Sequence, residues 1–287
     1  MTQENNGHNY CVMGNPIAHS RSPAIHARFA QLTGEPVRYG RLLVPLEGFE
    51  QALRDFARSG GQGCNVTVPF KLDAARCAHE KSERVLLAGA ANTLVLHDDG
   101  RISADNTDGL GIVADITRNA QVRIEGRDVL LIGAGGAAAG VLGPLLRERP
   151  RSIVIANRTL EKARHLADTH AQVARETGAS LQASALQAIT GDFDIVINGT
   201  ASSLAGAESP VPASVLRKGA LAYDMMYGPA AQGFLDWAAR NGAVARDGLG
   251  MLVEQAAESF AIWRGVRPPA AQVLRELRAE LQAAAGR

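Results

Sequence analysis

The stretch Val129-Leu-Leu-Ile-Gly133-Ala-Gly135-Gly136-Ala-Ala138 decides the fold. An apolar β-type run feeds a tight glycine turn, and the turn opens a helix of small residues. Gly133 permits the turn, Gly135 lets backbone approach a pyrophosphate, and Ala138 lets the helix pack close on the strand. The helix N-terminus offers N–H groups and a positive dipole end to phosphate. Alone, such a motif is also a turn that holds no ligand. Here it lies in strand–turn–helix order and a second strand follows, Ser152-Ile-Val-Ile-Ala156, so the pattern points to a dinucleotide site. The end of that second strand selects the cofactor. An NAD site usually carries Asp or Glu there, to bind the ribose hydroxyls. This chain reads Asn157-Arg158-Thr159, with Lys162 a turn later. An acid would repel a 2′-phosphate, whereas Arg158 can fork onto one while Asn157 and Thr159 donate to it. A solvated arginine beside a helix cap is the plainer alternative; the missing acid favours NADP over NAD.

Composition excludes several classes. Lys+Arg number 30 against 29 Asp+Glu, so no electrostatic case exists for nucleic acid or an anionic membrane. The first ten residues are polar and lack a signal peptide's apolar core, and no run approaches membrane-spanning length. Cys11, Cys64 and Cys77 are too few for a disulfide framework and lack metal-ligand spacing, and the histidines form no HExxH-like cluster. A cytoplasmic protein without a metal is expected; a homodimer is left open.

With 287 residues there is room for two domains, and the nucleotide motif begins only near residue 129. Tyr10 to Met13 reads as a strand ending in Gly14-Asn15-Pro16. A helix is predicted from Ser22 to Thr33, with Ser22 as N-cap, Pro23 at the first helical position and Gly34 ending it. Arg41 to Val44 and Cys64 to Val68 read as strands, and Phe49, Leu53 and Phe56 mark a helix between them. Thr93–Leu96 and Arg101–Ser103 flank Asp98-Asp99-Gly100, a hairpin signal. Leu110, Val113 and Ile116 predict a helix entering the nucleotide domain. Later strands are expected at Ile195–Ile197, Leu221–Tyr223 and Val244, then a helix after Gly248 and a last one from Pro268-Pro269. The expected class is α/β, with a mixed-sheet substrate-binding domain (1–112, joined by C-terminal helices 249–287) and a Rossmann-type domain (113–248). A cleft between them is the expected meeting place of substrate and nicotinamide.

Hydride transfer to a carbonyl asks the protein for cofactor placement, substrate clamps and a proton donor. The best donor is Lys71 in Asn65-Val-Thr-Val-Pro-Phe-Lys71, where a strand runs into Pro69 and Thr67 flanks its end. Read alone, Lys71 is equally an exposed lysine opening a helix. Asp108 in Asn106-Thr107-Asp108-Gly109 could hold the reacting hydroxyl, or simply cap a helix. Asn92 could hold a neighbouring hydroxyl. Ser20 and Ser22 place two hydroxyls at a helix N-terminus, a natural carboxylate site. Tyr227 and Gln255 are polar residues in apolar settings.

Together these segments resemble the shikimate dehydrogenase family. The segments are Gly14 to Pro23, Asn65 to Lys71, Gly89 to Thr93, Asn106 to Gly109, Gly133 to Ala137, Asn157 to Thr159, Tyr223 to Tyr227 and Asp247 to Gln255. They span nearly the whole chain, and the combination is specific where each alone is weak. The resemblance implies reversible reduction of 3-dehydroshikimate to shikimate with NADPH, on the route to aromatic amino acids. It implies a carboxylate held by Ser20, Ser22 and Tyr227. It implies ring hydroxyls held by Thr67, Asn92, Asp108 and Gln255, with Lys71 moving the proton. The implied cofactor site takes Gly133, Ala134, Gly135, Gly136 and Ala137 from the turn. After the second strand it takes Asn157, Arg158, Thr159, Leu160, Glu161 and Lys162. Met225 and Gly248 complete it, and Glu83 stands where the family places cofactor at a cleft edge. The chain departs from the family at Asn198-Gly-Thr-Ala201-Ser202, where Asn-Ala-Thr-Ser is commoner. The related quinate/shikimate dehydrogenases, which accept quinate and often NAD, are the alternative; Arg158 and the serine pair argue against them.

Overall fold

The computed structural model describes residues 8–200 and 209–285, so Ala201 and Ser202 lie outside the described residues. The chain divides into two units, Met1–Thr107 with Val253–Leu277, and Asp108–Leu252 with Arg278–Arg287.

The first unit runs β1 (His8–Gly14), α1 (Ser22–Thr33), β2 (Val37–Leu43), α2 (Phe49–Arg58), β3 (Gly61–Val66), α3 (Lys71–Cys77), β4 (Glu80–Lys81), α4 (Glu83–Ala88), β5 (Thr93–Leu96) and β6 (Ile102–Asp105). Its six-stranded sheet has the order β2-β1-β3-β5-β6-β4. The β2, β1 and β3 strands are parallel, and the β5–β6 hairpin has β5 antiparallel to both β3 and β6. Met13, Cys64, Val66, Phe70 and Leu94 form the core against α2, which contributes Phe49 and Leu53.

Two strands differ from the sequence reading. β2 begins at Val37 because it pairs with β1 along its whole length, from His8↔Val37 to Gly14↔Leu43. As an edge strand it is largely solvated, so its first half carries no apolar run. β3 stops at Val66, short of Val68: Thr67 N–H still reaches the Met13 carbonyl, and Phe70 N–H then closes a turn onto the Thr67 carbonyl at 3.0 Å.

The second unit opens with α5 (Asp108–Ala114) and a π-helical turn, Asp115–Asn119. There follow β7 (Asp128–Ile132), α6 (Gly136–Arg147), β8 (Ser152–Asn157), α7 (Leu160–Thr177), β9 (Ser180–Ala185), β10 (Phe193–Asn198), β11 (Leu216–Asp224), α8 (Gln232–Arg240) and β12 (Val244–Arg246). The six strands are all parallel, in the order β12-β11-β10-β7-β8-β9. This is the doubly wound order, with its switch point between β7 and β10. Leu130, Ile132, Ile155, Val196 and Ala222 are buried, which explains the near-continuous apolar runs of these strands. The small residues of α6 have a packing reason. A Cβ at Gly109 would collide with Pro144 and come within 2.7 Å of the Gly140 carbonyl, so α5 lies backbone-close on α6. The last helices are α9 (Leu249–Arg264), which starts in the second unit and ends in the first, and α10 (Ala270–Ala285). In the first unit Trp263 stacks on Tyr10 at 4.5 Å, and Arg28 pairs with Glu276 at 2.8 Å. Among the described residues no helix is long and apolar enough to cross a membrane.

Candidate active site

In the first unit, side chains gather where β1 and β3 end and β5 begins. Thr67 and Lys71 stand on either side of the turn that closes β3, and Lys71 opens α3, half-buried. Ala91 N–H donates to the Lys71 carbonyl at 2.8 Å and ties that first turn to the segment bearing Asn92. Gly14 lets Thr67 approach, since a Cβ there would sit 2.5 Å from its methyl group.

Ser22 differs from its expected role. Arg21 occupies the N-cap position of α1, Ser22 is the first helical residue, and no side chain caps the helix. Ser22 is instead 6% exposed and its N–H donates to Ser20 Oγ at 3.3 Å. The serine pair is thus one half-buried and one buried hydroxyl, not an exposed pair. Arg41 holds the segment from outside by donating to the Ser20 carbonyl at 2.6 and 3.1 Å.

Asn92 and Gln255, far apart in sequence, meet. Asn92 Nδ2 donates to Gln255 Oε1 at 3.2 Å and to Thr107 Oγ1 at 2.9 Å, and both side chains are buried. Sequence reasoning missed the polar groups around them, namely Asn65, Thr93, Thr107 and Ser259. Their only signal was polarity at positions where strand or helix packing asks for apolar residues. Glu83 is exposed on the first turn of α4, behind the Ser82 cap.

In the second unit, glycines let backbones converge at the carboxyl ends of β7, β10 and β11. Gly133 has φ +106° and lies against the Gly199 backbone, where a Cβ would come to 3.2 Å. A Cβ at Gly248 would collide with the Met225 carbonyl. Asn198 and Asp224, both fully buried, tie β10 to β11: Asn198 Nδ2 donates to Asp224 at 3.0 Å, and Met226 N–H caps the other carboxylate oxygen at 2.8 Å. Asp224 thereby shapes the loop bearing Met225.

This end of the sheet fits a dinucleotide. α6 has no side-chain cap, Gly135 and Gly136 are exposed, and a Cβ at either would meet nothing within 4 Å. Its first-turn N–H groups therefore face a space open to an anion. Gly133 N–H donates to Ala156 at 2.8 Å, bringing the turn alongside the end of β8. There Asn157 is half-buried and donates to the Thr159 carbonyl at 2.8 Å, while Arg158, Thr159, Glu161 and Lys162 are exposed and Leu160 opens α7. No carboxylate occupies the end of β8 itself, so the donors suit a 2′-phosphate. Asp108, 7% exposed, begins α5, and half-buried Tyr227 precedes the Gly228–Ala231 turn.

A doubly wound sheet with an anion-ready glycine turn, carried with a mixed-sheet unit bearing a lysine and buried amides, defines a nicotinamide-dependent oxidoreductase. The chain belongs to the shikimate dehydrogenase family. Residues 12–94 match the shikimate dehydrogenase substrate-binding domain, 115–216 the shikimate/quinate 5-dehydrogenase domain, and 248–278 the shikimate 5′-dehydrogenase C-terminal domain. A shikimate dehydrogenase (NADP(+)) from Verminephrobacter eiseniae is 70% identical over 93% of both chains. An Ael1 enzyme from Pseudomonas putida superimposes with TM-score 0.87 at 44% identity, over 94% of this chain and 98% of that one. The Thermus thermophilus shikimate 5-dehydrogenase in complex with NADP(H) and shikimate gives 0.80 at 28% identity, over 95% and 99%.

Proposed function

We propose that the chain catalyses the reversible, NADP-linked interconversion of 3-dehydroshikimate and shikimate in aromatic amino acid biosynthesis. The observation that carries this reading is the pair Asn92–Gln255, two buried amides joined at 3.2 Å that suit a substrate rich in hydroxyls. Ser20 and Ser22, with Tyr227, hold the substrate carboxylate. Thr67, Asn92, Asp108 and Gln255 hold the ring hydroxyls. NADPH, when bound, supplies the hydride that reaches the ketone carbon. Lys71 donates the proton to the ketone oxygen in reduction and takes it back in oxidation, while Asp108 accepts from the same hydroxyl. Gly133 to Ala137 seat the pyrophosphate through backbone N–H groups, and Arg158 with Asn157, Thr159 and Lys162 holds the 2′-phosphate. Leu160 and Glu161 border that site; Met225 and Gly248 shape the nicotinamide end, and Glu83 serves the cofactor. A reducing cytoplasm suits the buried thiols: Cys11 and Cys64 are register neighbours on β1 and β3, both free, and burial pushes Cys11 up to about 12.

Steady-state rates with shikimate and quinate, each with NADP and NAD, test the reading in the wild type and in Lys71→Ala. Shikimate with NADP is the favoured pair, and the variant loses about 10²–10⁴-fold in kcat with a smaller change in KM. Preference for quinate with NAD supports the broader quinate/shikimate type instead. Near-normal kcat in the variant removes Lys71 from the chemistry.

A further inference from the structure

Buried polar groups in the first unit extend well beyond the residues assigned to substrate. Tyr39, on β2, donates its hydroxyl to Asn65 Oδ1 at 2.7 Å. Asn65 Nδ2 reaches the Asn92 carbonyl at 3.1 Å and Ser259 Oγ at 2.9 Å. The Ser259 hydroxyl donates to the Gln255 carbonyl one helical turn back, at 3.0 Å, and Thr93 Oγ1 lies 2.8 Å from Ser259 Oγ.

Donor counting fixes the direction of these bonds. Thr107 N–H donates to Asn92 Oδ1 at 2.9 Å, and a backbone N–H cannot reverse. Asn92 therefore turns Nδ2 toward Gln255, whose Oε1 faces it and whose NH₂ points away. The Asn92 carbonyl can only accept, so Asn65 presents Nδ2 to it and Oδ1 to Tyr39, whose hydroxyl must donate. Asn65 is 6% exposed, Asn92 3% and Ser259 0%, so water does not replace a bond lost here. The Tyr39 ring is held independently of its hydroxyl. It stacks on the fully buried His26 at 4.1 Å with the planes 3° apart.

We propose that Tyr39 is a positioning residue for substrate. Its hydroxyl fixes the Asn65 amide, and through Asn65 and Ser259 the hydroxyl-binding Asn92 and Gln255. The proposal rests on the assignment of those two residues to shikimate. Without the hydroxyl, Asn65 Oδ1 loses its donor, the amide can rotate, and the hold on Asn92 and Ser259 loosens.

Tyr39→Phe keeps the ring and its stack on His26 and removes only the hydroxyl. Shikimate KM rises about fivefold, the value of one neutral hydrogen bond, and kcat falls by less than KM rises. The KM for NADP does not follow. Ser259→Ala raises shikimate KM in the same direction, and thermal unfolding shows that both variants are folded at the assay temperature. Adding Tyr39→Phe to Ser259→Ala costs less than the product of the single effects, because both act on one chain of bonds. Impaired Ser259→Ala with unchanged Tyr39→Phe overturns the proposal alone, as does a fully multiplicative double variant or a parallel rise in NADP KM. An unchanged shikimate KM in Asn92→Ala overturns the substrate assignment, and the proposal with it.

Discussion

Asp115→Ala is expected to cost the second unit a large share of its stability. The carboxylate is 0% exposed and receives Arg246 at 2.5 and 2.9 Å, the Tyr223 hydroxyl at 2.8 Å and Asn119 Nδ2 at 3.0 Å. It also fills the space beside Gly250, where a Cβ would collide with it. Four strands and helices depend on this one group: the π-helical turn after α5, β11 through Tyr223, β12 through Arg246 and the first turn of α9. Truncation leaves the Arg246 guanidinium, whose side chain is 21% exposed, without its charge partner, and orphans the buried Tyr223 hydroxyl. Breaking a buried ion pair costs about 3–5 kcal/mol, and an orphaned buried hydroxyl about 1–3 kcal/mol. Residual solvent at Arg246 offsets part of this, so about 4 kcal/mol is expected, against a typical total of about 5–15 kcal/mol. The surface pair Arg151–Asp128, with the arginine 61% exposed, sets the contrast. Solvent screens that arginine, so Arg151→Ala should leave the unfolding midpoint nearly unchanged. The assay is urea unfolding followed by Trp237 fluorescence in a Trp263→Phe background, which reports the second unit. Arg246→Met combined with Asp115→Ala should recover much of the loss, because no unpaired charge then remains. A loss below about 1 kcal/mol in Asp115→Ala, or no recovery in the pair, would refute the reasoning.

Two further outcomes follow from single residues. Arg158→Ala, at an exposed position, should leave the fold intact and raise KM for NADP far more than for NAD. A charge-assisted hydrogen bond to the 2′-phosphate corresponds to about 10–100-fold in the ratio of kcat/KM for the two cofactors; an unchanged ratio rules out the 2′-phosphate role. His26→Leu should flatten the acid limb of stability. Burial pushes the His26 imidazole from 6.5 down to about 3, against a smaller raising influence of the Asn65 amide. Between those values the unfolded chain binds a proton that the folded chain refuses, so stability is full above pH 6.5 and falls as pH drops toward 3. Unfolding midpoints at pH 7 and pH 5 should diverge between wild type and variant, and a parallel decline counts against this origin.

The nucleotide-binding half was legible because its constraints are local. Strands buried on both faces read as apolar runs, Gly133 needs a positive φ, and a missing acid after β8 is a statement about adjacent residues. β9, Ser180-Leu-Gln-Ala-Ser-Ala185, escaped notice because it is a polar edge strand. Lys71 and Asp108 each read alone as ordinary helix-opening residues; the ordered set of motifs, not their own surroundings, marked them. Ser22 looked like a cap because Ser-Pro at a helix start usually is one. It is instead the first helical residue, 6% exposed, and caps nothing. What tertiary structure alone decided is which polar groups share a hydrogen bond. Tyr39 and Asn65 are 26 positions apart, Asn65 and Ser259 194, and Asp115 and Arg246 131. A buried donor takes whichever acceptor the fold brings within about 3 Å, and chain order carries no record of that choice.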